Sequence, residues 1–132
     1  MPALLFHLVR PLSAVLALAW MIVLYQLSAQ SSVSMPLDFP GEDKLYHAIA
    51  YGLLGALYLF SLAPHRTGFS RRQALLAALL AVLYGLSDEW HQGFVPGRVT
   101  DPLDVLADAS GALLFAFAAR WLSRGWYPPA VA

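Results

Sequence analysis

Three short groups of residues carry most of the polar chemistry of this 132-residue sequence. Lys44, His47 and Tyr51 are spaced i, i+3, i+7. Asp88, His91 and Gln92 are spaced i, i+3, i+4, with Glu89 beside them, and Asp104, Asp108 and Gly111 are spaced i, i+4, i+7. On a helix each spacing gathers its members on one face. Carboxylates with imidazole suit a divalent cation, and an oxygen-rich set favours Mg²⁺, Ca²⁺ or Mn²⁺. A paired acid and histidine also suit general acid–base work. Arg98 suits a phosphate, as does a metal held by the acids. The candidate metal ligands are therefore His47, Asp88, Glu89, Asp104 and Asp108, and the wider candidate polar site adds Lys44, Tyr51, Gln92 and Arg98. None of these spacings is a metal signature by itself. There is no H-E-x-x-H pattern, no G-x-S-x-G elbow and no cysteine for a disulfide, zinc-thiolate site or thiol nucleophile. Catalytic residues are not identified at this level.

These groups are set in a very apolar chain. Hydrophobic residues make up 59% and Asp, Glu, Lys and Arg only 12%, against about 25% charged in a soluble domain. A water-soluble globule of this composition lacks the polar surface that keeps it dispersed. The composition points to an integral membrane protein, and the zero net charge offers no basic excess for nucleic acid. The length fits one domain covering residues 1–132.

Four spans are expected, at about 12–29, 44–63, 73–92 and 102–122. The first is roughly 27 Å long as a helix, enough to cross a hydrocarbon core. It is also long for a signal-peptide h-region, and Leu27 and Ala29 make a poor cleavage site. Glu42 and Asp43 suit the positive end of the second helix. Ser70 and Gln73 form a capping-box pattern ahead of the third. Asp101 followed by Pro102 reads as the N-cap and first position of the fourth, with Gly125 as a stop. Val95-Pro96-Gly97-Arg98 has the residues of a type II turn. Ala48, Gly52 and Ala56, then Ala77, Ala81 and Gly85, then Ala107 and Gly111 form small-residue ridges that let helices approach closely.

Six of the eight cations (Arg10, Arg66, Arg71, Arg72, Arg120 and Arg124) flank one set of span ends, and only Lys44 and Arg98 flank the other. The positive-inside rule then places both termini in the cytoplasm. All eight acids, from Asp38 to Asp108, fall on the opposite, outer side. The rule does not count acids, so their segregation needs another cause. From Ala74 to Ser87 there are only 14 residues, roughly 21 Å of helix, which draws Asp88 and Glu89 into the outer membrane region. Lipid cannot solvate such groups, so they should converge on one another or on a wet recess. The inner halves of spans two to four hold no ionisable side chain except Tyr58, which disfavours an ion path through the membrane.

Plainer roles compete for each residue. Glu42, Asp43 and Asp104 can simply favour a helix N-terminus, and Asp101 can be only a cap. Lys44 can snorkel, Tyr51 can pack, and His91 can face the interface beside Trp90. His7 and His65 read as cytoplasmic solvent-facing residues. His47, Asp88, Glu89, Gln92, Arg98 and Asp108 fit a shared polar site better, with a network that merely holds the bundle as its competitor.

Two stretches resemble the VanZ-like family of small bacterial membrane proteins. One is Asp43-Lys44-x-x-His47-x-x-x-Tyr51. The other is Ser87-Asp88-Glu89-x-x-Gln92-x-Phe94-Val95-Pro96-Gly97-Arg98, followed by Asp104-Val105-x-Ala107-Asp108-x-x-Gly111. Many members have Asn where this chain has Asp108, which places an extra potential charge in the site. The resemblance implies a bacterial envelope membrane protein. The family is named for a member associated with teicoplanin resistance, and it supplies no catalytic residues.

The resulting expectation is an all-α, integral membrane four-helix bundle, N-in and C-in, in the bacterial cytoplasmic membrane. Its outward-facing recess would bind a lipid headgroup or a lipid-linked cell-wall precursor, with membrane lipids as partners and a divalent cation as a candidate cofactor. The alternative is a metal-assisted or acid–base hydrolase or transferase acting on a lipid-linked envelope substrate. There Asp88 and Glu89 would hold a cation or act as base, His47 would carry the proton and Arg98 would hold phosphate.

Overall fold

The computed structural model describes residues 3–32, 39–62 and 68–126. Asp38 and Arg66, which entered the charge argument, and His65 lie outside the described residues, as does the side chain of His7. Four helices follow one another: α1 (Ala3–Ser28), α2 (Glu42–Leu62), α3 (Arg71–Gln92) and α4 (Pro102–Leu122), with a 3-10 turn at Ser123–Trp126. Alanine and leucine, both strong helix formers, dominate these segments, and no strand forms among the described residues.

The local signals act as their chemistry requires. Ser70 and Gln73 cap α3 reciprocally, with the Ser70 hydroxyl accepting from Gln73 N and the Gln73 amide oxygen accepting from Ser70 N. Asp101 Oδ1 accepts from Leu103 N and Pro102 occupies the first turn of α4. At the 95–98 turn Gly97 has φ +83° and Arg98 N donates to Val95 O over 3.1 Å, the φ > 0 and hydrogen bond of a type II turn. Two boundaries differ from expectation. α1 begins nine residues before Leu12 and carries Pro11 inside it, because one lost backbone bond does not stop a helix with good formers on both sides. α4 gives way at Ser123 to a 3-10 turn that takes in Gly125, so that glycine is not the stop.

The most extensive seam joins α2 to α4, followed by α3–α4 and α2–α3; α1 packs on α2 and barely touches α3. Leu54, Leu59, Ala74, Ala77, Ala81, Ala112 and Ala116 form the core. The α2–α4 seam is close because Gly111 has no side chain: a Cβ there would run into the Ala48 backbone. Polar side chains tie α1 in. Trp20 Nε1 donates to Ala50 O at 2.9 Å, Tyr84 Oη to Met21 O at 2.7 Å, and Tyr25 stacks on His91 with ring centroids 4.8 Å apart.

Large apolar side chains remain exposed on every helix, among them Leu12, Val15, Leu18, Ile22, Leu53, Leu79, Leu83, Leu106 and Leu114. A soluble monomer does not carry apolar surface of this extent. Three helices, α1 from Leu8, α2 and α4, are long and apolar enough to cross a membrane. These features make it a membrane protein. α3 is the one expected span that falls short in composition, because Arg71 and Arg72 open it and Asp88 and Glu89 sit in its last turns. Its buried face, Ala74, Ala77, Ala78, Ala81 and Gly85 followed by Asp88, Glu89 and Gln92, runs its full length against the bundle.

Candidate functional site

The up-and-down order of α2, α3 and α4 brings the start of α2, the end of α3 and the start of α4 to one end of the bundle. The acids of the described residues gather there, and the arginines of the helix ends gather at the other. At that far end Arg10 Nε donates to Ser61 O, and Arg120 lies near Arg71 and Arg124.

Lys44 is the hub of the acidic end. Its Nζ donates to Asp43 Oδ2, Asp101 Oδ2 and Asp104 Oδ1 at 2.8, 2.6 and 2.7 Å. It does not snorkel away; it joins α2 to the first turn of α4. Asp101 is both the cap of α4 and a partner of Lys44, and that ammonium holds its carboxyl below the usual carboxylate range.

One turn deeper, His47 Nδ1 lies 2.9 Å from Asp108 Oδ1, and its Nε2 lies 3.9 Å from Asp104 Oδ2. A carboxylate accepts only, so Nδ1 carries the proton. Asp108 is 0% exposed, and its Oδ2 has no hydrogen-bond partner. That oxygen packs over Gly85, where a Cβ would come within 2.5 Å of it. Tyr51 stacks on His47 at 6.0 Å, and its hydroxyl is buried near Asp88 and Asp108.

From α3, Asp88 Oδ2 accepts from Gln92 Nε2 at 3.1 Å, and Glu89 Oε2 accepts from Asp101 N at 3.1 Å. Glu89 thus holds the loop that leads into α4. Its Oε1 is buried without a hydrogen-bond partner, as is Arg98 Nε.

Beside this network lies a cavity of about 230 Å³ between α1, α2 and α3. Trp20, Leu24, Leu27, Tyr46 and Ile49 are among its apolar walls. His47, Asp88, Gln92 and Arg98 are among its polar lining.

Lys44, His47, Tyr51, Asp88, Glu89, Gln92, Asp104 and Asp108 are therefore brought into one connected region, and Arg98 borders it across the cavity. His91 is set apart by its stacking on Tyr25. Sequence reasoning missed Trp20 and Tyr46 as cavity walls, and an apolar helix gives no signal for them. It also missed Asp43 and Asp101 as Lys44 partners. The signal for Asp101 was present: Asp101 and Asp104 are three residues apart at the helix entry, so one cation can bridge them.

The VanZ/LLP1 family profile matches residues 10–123, which takes in α1 from Arg10, all of α2, α3 and α4, and every residue of this network. The chain belongs to the VanZ/LLP1 family. No curated protein and no solved structure shows significant similarity to the chain. In this VanZ family member the family's extent coincides with the bundle, and the acidic end is an integral part of it.

Proposed function

We propose that this VanZ family protein is a multi-pass protein of the bacterial cytoplasmic membrane whose polar end opens outward and binds the headgroup of a lipid or a lipid-linked cell-wall precursor. The observation that carries this is the cavity, whose lining joins apolar side chains of α1 and α2 to His47, Asp88, Gln92 and Arg98. An amphipathic ligand matches both kinds of lining, with a chain along Trp20, Leu24 and Ile49 and a polar group at the polar side chains. Arg98 Nε, buried without a partner, is a donor available to a phosphate oxygen. In this reading α3 crosses with the other helices, its short apolar run shielded on one face by α2 and α4. A link to glycopeptide sensitivity follows only from the family's naming member.

The test is lipid retention. The protein, extracted in mild detergent, is examined by native mass spectrometry with isoprenoid diphosphate, phosphatidylglycerol and a neutral diacylglycerol. The expected result is selective retention of a phosphate-bearing lipid, weakened at least tenfold by Arg98→Ala. Equal retention of all three, or no effect of Arg98→Ala, overturns the reading.

A second reading, acid–base or metal-assisted turnover of such a lipid, is favoured by the His47–Asp108 pair. An imidazole oriented by a buried carboxylate is a familiar proton-transfer arrangement. Turnover of a phospho- or isoprenoid-linked substrate that is lost in His47→Gln, with folding retained, would select it. A purely structural network predicts that stability and phenotype fall together in Asp88→Asn and His47→Ala.

A further inference from the structure

The geometry points to a divalent transition-metal site formed by His47, Glu89 and Asp104, with Asp108 orienting the histidine from behind. Each of the three offers one ligand atom, and these atoms lie within 4.8 Å of one another. Ligands on one ion, each about 2.1 Å from it, sit up to about 4.2 Å apart, so small side-chain rotations close the set.

Three observations separate this place from an ordinary acidic cluster. Glu89 is 6% exposed, and its Oε1 is buried with no hydrogen-bond partner. A carboxylate oxygen in that position either costs desolvation energy or faces a cation. Lys44 does not meet this need, because it is committed to Asp43, Asp101 and Asp104 Oδ1. That leaves Asp104 Oδ2 on the His47 side, 3.9 Å from Nε2. Finally, Asp108 accepts from His47 Nδ1, which fixes the proton there and leaves the Nε2 lone pair facing the two carboxylates. A carboxylate behind a ligating histidine is the usual support of a metal-bound imidazole.

One imidazole nitrogen and two carboxylates suit Mn²⁺ or Zn²⁺ better than Ca²⁺ or Mg²⁺, which take oxygen ligands. The divalent charge matches the two carboxylates. Three protein ligands leave positions open on the ion, and His47 also borders the cavity. The site thus deepens the headgroup-binding reading, since an ion with free positions can accept a phosphate oxygen, yet metal binding itself does not depend on that reading.

The experiment uses the full chain in nanodiscs, stripped with chelator and titrated with Mn²⁺ or Zn²⁺ alone. The expected result is one tightly held ion per chain, a higher Tm with metal, and nitrogen hyperfine coupling in the pulsed EPR spectrum of the Mn²⁺ form. Glu89→Gln should weaken binding at least tenfold, and Asp108→Asn about tenfold, in the range seen for groups that support a ligand. Asp43→Asn, in the exposed part of the cluster, should leave it unchanged. Absence of stoichiometric binding, absence of nitrogen coupling, or binding lost with Asp43→Asn but kept in Glu89→Gln overturns the site. The nitrogen coupling is read on the unmodified protein, so it decides even where Glu89→Gln fails to fold. Lipid retention measured in the stripped protein separates the outcomes: metal can bind where lipid selectivity fails, and the reverse.

Discussion

His47 Nδ1 and Asp108 Oδ1 are joined over 2.9 Å across the α2–α4 seam, and Asp108 has no exposure to solvent. A buried carboxylate held by one imidazole is costly to orphan. Removing one partner of a buried pair typically costs about 3–5 kcal/mol. His47→Ala should therefore destabilise the bundle by about 3 kcal/mol, read as the loss of folded fraction in an SDS titration. Asp108→Asn should cost about 1 kcal/mol or less, because an amide oxygen still accepts from Nδ1 and the buried charge is gone. Similar losses in both variants would show that charge pairing does not govern this contact.

The seam itself makes a sharper demand on backbone approach. A Cβ on Gly111 would meet the Ala48 carbonyl and Cα, which are backbone atoms and cannot rotate away. At Gly52 it would meet the Phe115 ring at 2.7 Å, a side chain that can shift, and the Gly111 carbonyl oxygen only at 3.1 Å. Gly111→Ala should then cost about 3 kcal/mol, at the upper end for overpacking, and Gly52→Ala about 1 kcal/mol. Thermal unfolding in detergent checks both. If the two substitutions cost the same, the close helix approach is not what limits this packing.

The helices, their caps and the gathering of acids at one end were legible because each rests on local rules. Ser70 and Gln73, Asp101 with Pro102, and the Gly97 turn signal themselves within four residues. The shared faces of Lys44-His47-Tyr51 and Asp104-Asp108 follow from helical spacing. What pairs with what was not legible, because it depends on rotation and depth of one helix against another. That Lys44 takes three carboxylates, or that His47 pairs with Asp108 rather than Asp88, depends on how α2 seats against α4, where Gly111 meets the Ala48 backbone. Tertiary contact also decides that His91 leaves the polar group to stack on Tyr25, and that Trp20 reaches the Ala50 carbonyl. The early start of α1 escaped because the span was drawn from its apolar run at Leu12, and the helix extends past Arg10 to Ala3.

Acid should weaken the helix entry. Lys44 lowers the Asp101 carboxyl below its usual value of 3.8. A carboxylate depressed in the folded state adds stability above its unfolded value, and that contribution is lost as pH falls through the lower folded value. Stability measured between pH 6 and pH 3 should therefore decline below about pH 4. Asp101→Asn keeps the N-cap, since Asn caps as well as Asp, but removes the titration, so the variant's decline should be shallower. Because Asp101 is partly exposed, the difference should also shrink in high salt. Identical acid profiles for the two proteins would contradict this.

The charge segregation makes a prediction about orientation that also decides the fate of α3. Arg71 and Arg72 open this helix, and Phe94, 70% exposed, follows its last turn at the acidic end. The chain contains no cysteine, so Arg72→Cys and Phe94→Cys each give a single labelling site without background. With arginine-bearing ends inside and α3 crossing the bilayer, a membrane-impermeant maleimide should label Phe94→Cys in intact cells. It should label Arg72→Cys only after permeabilisation. The physical basis is that α2 and α4 cover one face of α3, so its 14-residue apolar run need satisfy lipid on the other face alone. Labelling of both sites from the same side would show that α3 does not cross. Labelling of Arg72→Cys alone in intact cells would reverse the orientation and turn the acidic recess toward the cytoplasm.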